Sequence, residues 1–181
     1  MKNKTISSDR LLMRNFYETD VDSIYSYRSL DSIAKYQYWE PFTKEQTMAF
    51  VNQCKNINLN RIGEWIGLAV IWNEHNKLIG DCAVKVSENI AEIGCNISPE
   101  YQNKGIAKEA VTLLLNYCFV NRIVDEVIGI TDSENIASIK LMKSVGMTKS
   151  TDFEEKVMCK GSWCIEHRYS IKRVAFNRST T

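Results

Sequence analysis

The chain has 181 residues, 44% hydrophobic and 25% charged, and 23 basic against 22 acidic residues leave a net charge of +1. That length suits one domain, residues 1–181, around a single core. No sequence-wide positive field recruits nucleic acid or an anionic membrane, and the longest apolar stretch, Val111 to Val120, is too short to span a bilayer.

Ile6 to Arg14 alternates and reads as an opening strand, with Leu11 and Met13 on one face and Leu12 and Arg14 on the other. Residues 19–35 and 43–59 read as helices, the second starting from a Thr43 cap. The aromatic-rich connection between them, Tyr36 to Phe42, either packs its rings on the core or walls a pocket. Glu64–Trp72 and Leu78–Val86 form an antiparallel hairpin, with His75 a solvated turn residue. A third strand, Ile90–Ser98, sets Ala91, Ile93, Cys95 and Ile97 on one face and Glu92, Gly94, Asn96 and Ser98 on the other.

A short loop, Gln102 to Ala107, then leads into a helix over residues 105–121 whose core stripe is Ala110, Leu113, Leu114, Tyr117 and Cys118. Asp125–Thr131 follows as a strand. Next comes a helix over 134–145, capped by Asp132 or Ser133 and ended by Gly146. Met147 to Arg173 closes the chain as a hairpin about Lys160-Gly161. The order is that of an α+β fold, with helices covering a mixed sheet.

The six cysteines are scattered singly and read as reduced, mostly buried side chains. Cys159, Cys164 and His167 cluster, but their spacing matches no common zinc arrangement, and no metal is expected. The polar start MKNKTISSDR lacks the apolar core of a signal peptide, so a cytoplasmic location is expected.

The chemistry concentrates at the loop before the long helix. Backbone N–H groups that point outward together, with a helix N-terminus behind them, attract a phosphate or pyrophosphate. Gly105 stands where the backbone comes close to a ligand. Lys104 and Lys108 either add local positive charge or are surface lysines. A cofactor carrying a pyrophosphate is expected.

Four segments occur together: Glu92-Ile93-Gly94-Cys95, Gln102 to Ala107, Asn135-x-x-Ser138 and Val145-Gly146-Met147. With Asp9 to Arg14 at the start and Gly161 to Ile171 at the end, the chain resembles the GNAT N-acetyltransferases of the RimJ/RimL-type branch over nearly its whole length. The resemblance implies a mixed, mostly antiparallel seven-stranded sheet flanked by four helices. It also implies acetyl-CoA as cosubstrate, with the amides of Gln102, Asn103, Lys104, Gly105, Ile106 and Ala107 on the pyrophosphate. The backbone of Ile97 and Ser98 would pair with the pantetheine arm, and Asn135 would hydrogen-bond it, unless Asn135 is an ordinary first-turn residue.

Acetyl transfer to a primary amine by direct attack in a ternary complex needs a base for the ammonium and a donor near the departing thiolate. Glu92 is the candidate base, on a polar strand face where burial raises a carboxyl pKa; the alternative is a solvent-facing glutamate. Glu166, where the branch commonly has an aspartate, and Trp39 in the aromatic link are candidate substrate contacts. Met142 stands where many members carry a tyrosine, which leaves Ser138 as the polar group beside the thiolate. The acceptor implied is a protein N-terminus, a ribosomal protein among them, or a small-molecule amine. A non-catalytic CoA-binding module is the competing reading. Homodimers are frequent in the branch, which keeps a second copy among the expected partners.

Overall fold

The computed structural model describes residues 6–55, 62–121 and 124–179. Eight strands form one sheet in the order β1-β2-β3-β4-β5-β6-β8-β7. They are β1 Ile6–Ser7, β2 Leu11–Arg14, β3 Trp65–Trp72, β4 Lys77–Ser87, β5 Ile90–Ile97, β6 Glu126–Asp132, β7 Thr148–Cys159 and β8 Ser162–Lys172. The helices are α1 Val21–Arg28, α2 Asp31–Ala34, α3 Lys44–Cys54, α4 Ile106–Asn121, α5 Ile136–Ser144 and α6 Arg173–Ser179.

The α+β class is as expected, and the element count is corrected from seven strands and four helices. The extra strand arises because Ile6 to Arg14 breaks into a turn, where the Ser8 amide bonds the Leu11 carbonyl at 2.8 Å. The β1 segment then folds back antiparallel on β2. The helix expected over 19–35 is two pieces, because Leu30 is extended (φ −92°, ψ 131°) between α1 and α2. Thr43 caps α3 reciprocally with Gln46, whose amide donates to the Thr43 hydroxyl at 3.2 Å and whose side chain accepts from the Thr43 amide at 2.8 Å. Residues 56–59 of that expected helix lie outside the described residues.

Every neighbouring pair of strands is antiparallel except β5 and β6. Parallel neighbours need a long crossover, and α4 supplies it. Its buried stripe is wider than the sequence pattern implies. Ala110, Leu114 and Cys118 are fully buried, Val111, Leu115 and Phe119 lie beside them, and Leu113 and Tyr117 are half-buried. These side chains join one face of the sheet in the larger core, with Met142 and Met147 from the α5 region and Phe176 from α6. The opposite face carries a smaller core with α1 and α3, built on Phe16, Ile24, Tyr27, Val51 and Ile71. That second face is where Glu92 and Asn96 of β5 belong by strand parity.

Candidate active site

The β5–β6 pairing is short. Ile90 faces Glu126, Ala91 faces Val127 and Glu92 faces Ile128, and there the pairing ends. From Ile93 to Ile97 one edge of β5 is left without a strand partner, opening a wedge in the sheet. The Ser98 amide bonds the Ile79 carbonyl at 2.8 Å, and its carbonyl accepts from the Tyr101 amide at 2.9 Å. The Ser98 amide, expected to face the pantetheine arm, is therefore taken within the protein. Antiparallel ladders alternate, so Cys95 and Ile97 are the residues whose amides turn from β4 toward the wedge.

At the mouth of the wedge the chain makes a single 3₁₀ turn, Pro99–Tyr101, and then the loop into α4. Gln102 ties the loop to the strand end, its side-chain amide donating to the Ile97 carbonyl at 2.8 Å. Asn103 (φ 60°) and Gly105 (φ 74°) both take left-handed backbone. That conformation is easy only for glycine and, less so, for asparagine. Among the described residues no partner is found for the backbone N–H groups of Asn103 through Lys108, since the first helical bond runs from the Glu109 amide to the Gly105 carbonyl. Six amides at a helix N-terminus, without internal acceptors, fit the anionic oxygens of a pyrophosphate. Gln102 is the exception among the six residues expected there, because its own amide bonds the Pro99 carbonyl at 3.3 Å.

Arg10 lies over this loop, a position the residue pattern does not reveal. It pairs with Glu109 in the first turn of α4, and the Ser8 hydroxyl donates to the same carboxylate at 2.5 Å. The β1–β2 turn thus fastens the N-terminus of α4 to the sheet.

Across the wedge, β6 ends at Asp132 and α5 begins. Asn135 is the helix cap, in place of the expected Asp132 or Ser133: its side-chain oxygen accepts from the Ser138 amide at 3.1 Å. Asp132 instead accepts from the Glu134 amide at 2.7 Å and shapes the turn before the helix. The cap leaves the Asn135 NH₂ group available to a ligand and fixes Ser138 in the first turn. The Ser138 hydroxyl is half-buried and has no partner among the described residues. Met142 is core, buried to 7% exposure over Gly129 of β6, where an added Cβ would stand 2.7 Å from its sulfur.

Glu92 is half-buried at the last paired position of β5, opposite Lys85 of β4. Burial pushes its carboxyl above the ordinary glutamate range, Glu166 adds to the rise, and Lys85 opposes it. Glu166 sits on β8 opposite Asp132 and lines a cavity of about 410 Å³. The remaining walls include Tyr36 and Tyr38 from the aromatic link, and Cys164 and Trp163 from β8. The Tyr38 hydroxyl donates to Glu166 at 2.6 Å. Loss of water around that hydroxyl and the adjacent carboxylate both raise its pKa, so it stays protonated. Trp39 lies outside this lining, its ring over Arg28 at 4.7 Å and against Phe42 at 4.9 Å. The aromatic link therefore does both things open to it: Trp39 and Phe42 face inward, and Tyr36 and Tyr38 face the cavity.

Cys159, Cys164 and His167 have separate partners. Cys159 contacts the Gln37 carbonyl, Cys164 the Val157 carbonyl, and His167 the Glu154 carboxylate at 3.1 Å. All six cysteines are free thiols.

A family model described as an acetyltransferase (GNAT) domain matches residues 10–148. The chain belongs to the GNAT acetyltransferase family. It is 33% identical over 174 residues to YnaD, an uncharacterised N-acetyltransferase of Bacillus subtilis, spanning 95% of this chain and 99% of that protein. The structure of a GNAT-family acetyltransferase from Bacillus anthracis is 29% identical, with a TM-score of 0.82, over 94% of this chain and 99% of the other. A spermidine N-acetyltransferase from Vibrio cholerae, solved with CoA and spermine, shares the fold at 20% identity and a TM-score of 0.77, over 94% and 99% of the two chains.

Membership makes the chain an acetyl-CoA-dependent acyltransferase. Sequence reasoning missed three contacts: the Tyr38 bond to Glu166, the Cys95 backbone turned to the wedge and the Arg10 reach to the loop. The residues themselves stand in segments singled out in the sequence, but their meetings do not show there.

Proposed function

We propose that the chain moves an acetyl group from acetyl-CoA to a primary amine by direct attack, in the manner of the RimJ/RimL-type branch and in the cytoplasm. One observation carries the reading: a half-buried carboxyl with a raised pKa, Glu92, stands where β5 and β6 part, within electrostatic reach of Glu166 on the cavity wall. Support on the cofactor side comes from the unpartnered amides of Asn103 to Lys108, which would hold the pyrophosphate. The Cys95 and Ile97 backbone and the Asn135 NH₂ would hold the pantetheine arm.

The acceptor arrives as an ammonium, which Glu166 attracts in the cavity. Glu92 takes one proton from it, directly or through water, and the raised pKa suits a base working near neutrality. The freed nitrogen attacks the thioester carbonyl, a C–N bond forms, and the C–S bond breaks. Backbone amides at the wedge can stabilise the developing oxyanion. The thiolate leaves beside Ser138, whose hydroxyl can donate to it, and takes up the second proton, released by the nitrogen once the C–N bond has formed, to become CoA, while the proton on Glu92 passes to solvent. No covalent acyl-enzyme is required, so none of the cysteines is assigned a role as nucleophile.

The test is release of free CoA from acetyl-CoA in the presence of polyamines, amino acids, amine-bearing small molecules and N-terminal peptides, ribosomal ones among them. Turnover with one acceptor class, abolished in Glu92→Gln while CoA affinity persists, is expected. Tight CoA binding with no turnover across the panel would overturn the enzyme reading in favour of a CoA-binding module.

A further inference from the structure

The side of the sheet away from α4 contains a buried charge pair that the proposed chemistry does not use. Arg28 at the end of α1 and Asp81 in β4 are 6% and 2% exposed. The Asp81 carboxylate receives four hydrogen bonds: from the Tyr27 hydroxyl at 2.6 Å, from Arg28 Nε at 3.1 Å and Nη2 at 2.7 Å, and from Asn96 Nδ2 at 3.1 Å. A buried ion pair is weak evidence of stabilisation, because well-packed apolar residues in its place are often as good or better. A role in holding a particular conformation accounts for it better.

Besides Phe50 of α3, whose ring centre lies 4.1 Å from the Arg28 guanidinium, the pair meets the segment from Lys35 to Phe42, which forms a strap beside the cavity. Arg28 meets the strap in three ways. Its carbonyl accepts from the Phe42 amide at 3.0 Å, and its guanidinium lies 4.7 Å from the Trp39 ring centre and 5.1 Å from that of Phe42. Asn96, bonded to Asp81, also accepts from the Gln37 side-chain amide at 3.4 Å. On its other side the strap is tied to the β7–β8 hairpin. Lys160 donates to the Ala34 carbonyl at 2.8 Å and pairs with Glu40 at 3.4 Å, and Tyr38 donates to Glu166. Tyr38 is therefore presented to the cavity by a segment whose inner side rests on Arg28.

We infer that Arg28 and Asp81 are positioning residues for the acceptor site, acting by holding the Lys35–Phe42 strap so that Tyr38 meets Glu166. This rests on the proposed reading of the cavity as the acceptor site. Neither residue contacts the loop before α4, and the Asp81 carboxylate meets β5 only at the Asn96 side chain, leaving the Cys95 and Ile97 backbone in place, so the larger effect is expected on the acceptor.

Two variants test it: Asp81→Asn, which removes the charge in place, and Arg28→Lys, which keeps a charge opposite Asp81 but loses the forked donors and the flat face under Trp39. Each is compared with wild type in amide exchange over residues 35–42, in CoA binding, and in KM for acceptor and for acetyl-CoA. Exchange in the strap is expected to speed up by about tenfold in Asp81→Asn and less in Arg28→Lys, with α4 unchanged. The acceptor KM should rise by about tenfold or more, while CoA affinity and the acetyl-CoA KM stay within about twofold. If Asp81→Asn does not fold, Arg28→Lys alone decides. Strap exchange at the wild-type rate in a folded variant, or equal rises in both KM values, overturns the inference. Absence of turnover by wild type would instead sink the acetyltransfer reading, and the exchange measurement would still judge whether the pair holds the strap.

Discussion

Gly105→Ala separates the two things a glycine in the loop before α4 can do: relieve backbone strain and make room for a ligand. Its φ of 74° is left-handed, and alanine in that conformation loses about 1–2 kcal/mol relative to glycine. No clash adds to this, because an added Cβ finds only Arg10 Nη2 at 3.8 Å. A matched control exists in Gly161 of the β7–β8 turn, with φ 78° and nothing within 4 Å of an added Cβ. Both variants should therefore lose about 1 kcal/mol, seen as a fall of about 2–4 °C in Tm for a chain this size. Only Gly105→Ala places a methyl group among the amides proposed to hold the pyrophosphate. Its CoA Kd should rise by about tenfold or more, equivalent to about 1.4 kcal/mol, with Gly161→Ala at the wild-type value. Titration calorimetry with CoA, repeated with pantetheine, reads this directly, since pantetheine lacks the pyrophosphate and should not distinguish the variants. Equal CoA affinities for Gly105→Ala and Gly161→Ala would refute the cradle and reduce Gly105 to a turn glycine.

Glu92→Gln should lower kcat by about 10²–10⁴-fold, the usual range for losing a general base, with CoA affinity retained. In Glu166→Gln the acid limb of the kcat/KM profile should move to lower pH, because Glu166 helps hold the Glu92 carboxyl up and the base must be ionised to act. The same shift has a stability consequence. A carboxyl with a raised folded-state pKa binds its proton more tightly in the folded chain, so wild type loses stability as pH rises from the ordinary glutamate range through that raised value. Glu92→Gln should thus melt above wild type at neutral pH, and the advantage should vanish in acid, as a pH series of thermal melts will show. Asn135→Ala should lose about 1 kcal/mol of stability from the missing cap and also weaken CoA binding, whereas Asn135→Asp should restore the cap alone. Gly129→Ala brings a Cβ to 2.7 Å from the Met142 sulfur and should destabilise by about 1–3 kcal/mol, and combined with Met142→Ala, which removes that sulfur, the two losses should sum to less than their separate values.

The parts of this fold that rest on local rules could be read from the residues. The stripe on α4, the Thr43 cap, the hairpin turns and the parity of β5 all follow from spacing and backbone preference, and all are present. Two kinds of feature were not legible. One is competition for a backbone group: Ser98 is the last residue of the expected strand, but the Ile79 carbonyl from β4 takes its amide, so the open edge belongs to Cys95 and Ile97. The other is contact between distant segments. The Tyr38–Glu166 bond joins residues 128 positions apart, and Arg10 reaches Glu109 across 99. Helical and strand periodicities carry no information about such meetings.

The aromatic link shows why this matters for the chemistry. Tyr36, Tyr38, Trp39 and Phe42 are alike in composition, yet they are sorted by a charge buried beneath the strap. Arg28 attracts the faces of Trp39 and Phe42, and with those two rings turned inward the chain presents Tyr38 to Glu166. Glu92, the proposed base, and the cavity lined by Glu166 thus lie on the sheet face that carries α1 and α3. The cofactor loop is fastened to the opposite core by α4. The wedge between β5 and β6 is the place where a ligand held by the loop can meet a group held by the strap. A sheet paired along its full length would close that opening, and on the proposed mechanism the short three-residue pairing that ends at Glu92 is what would let the two substrates meet.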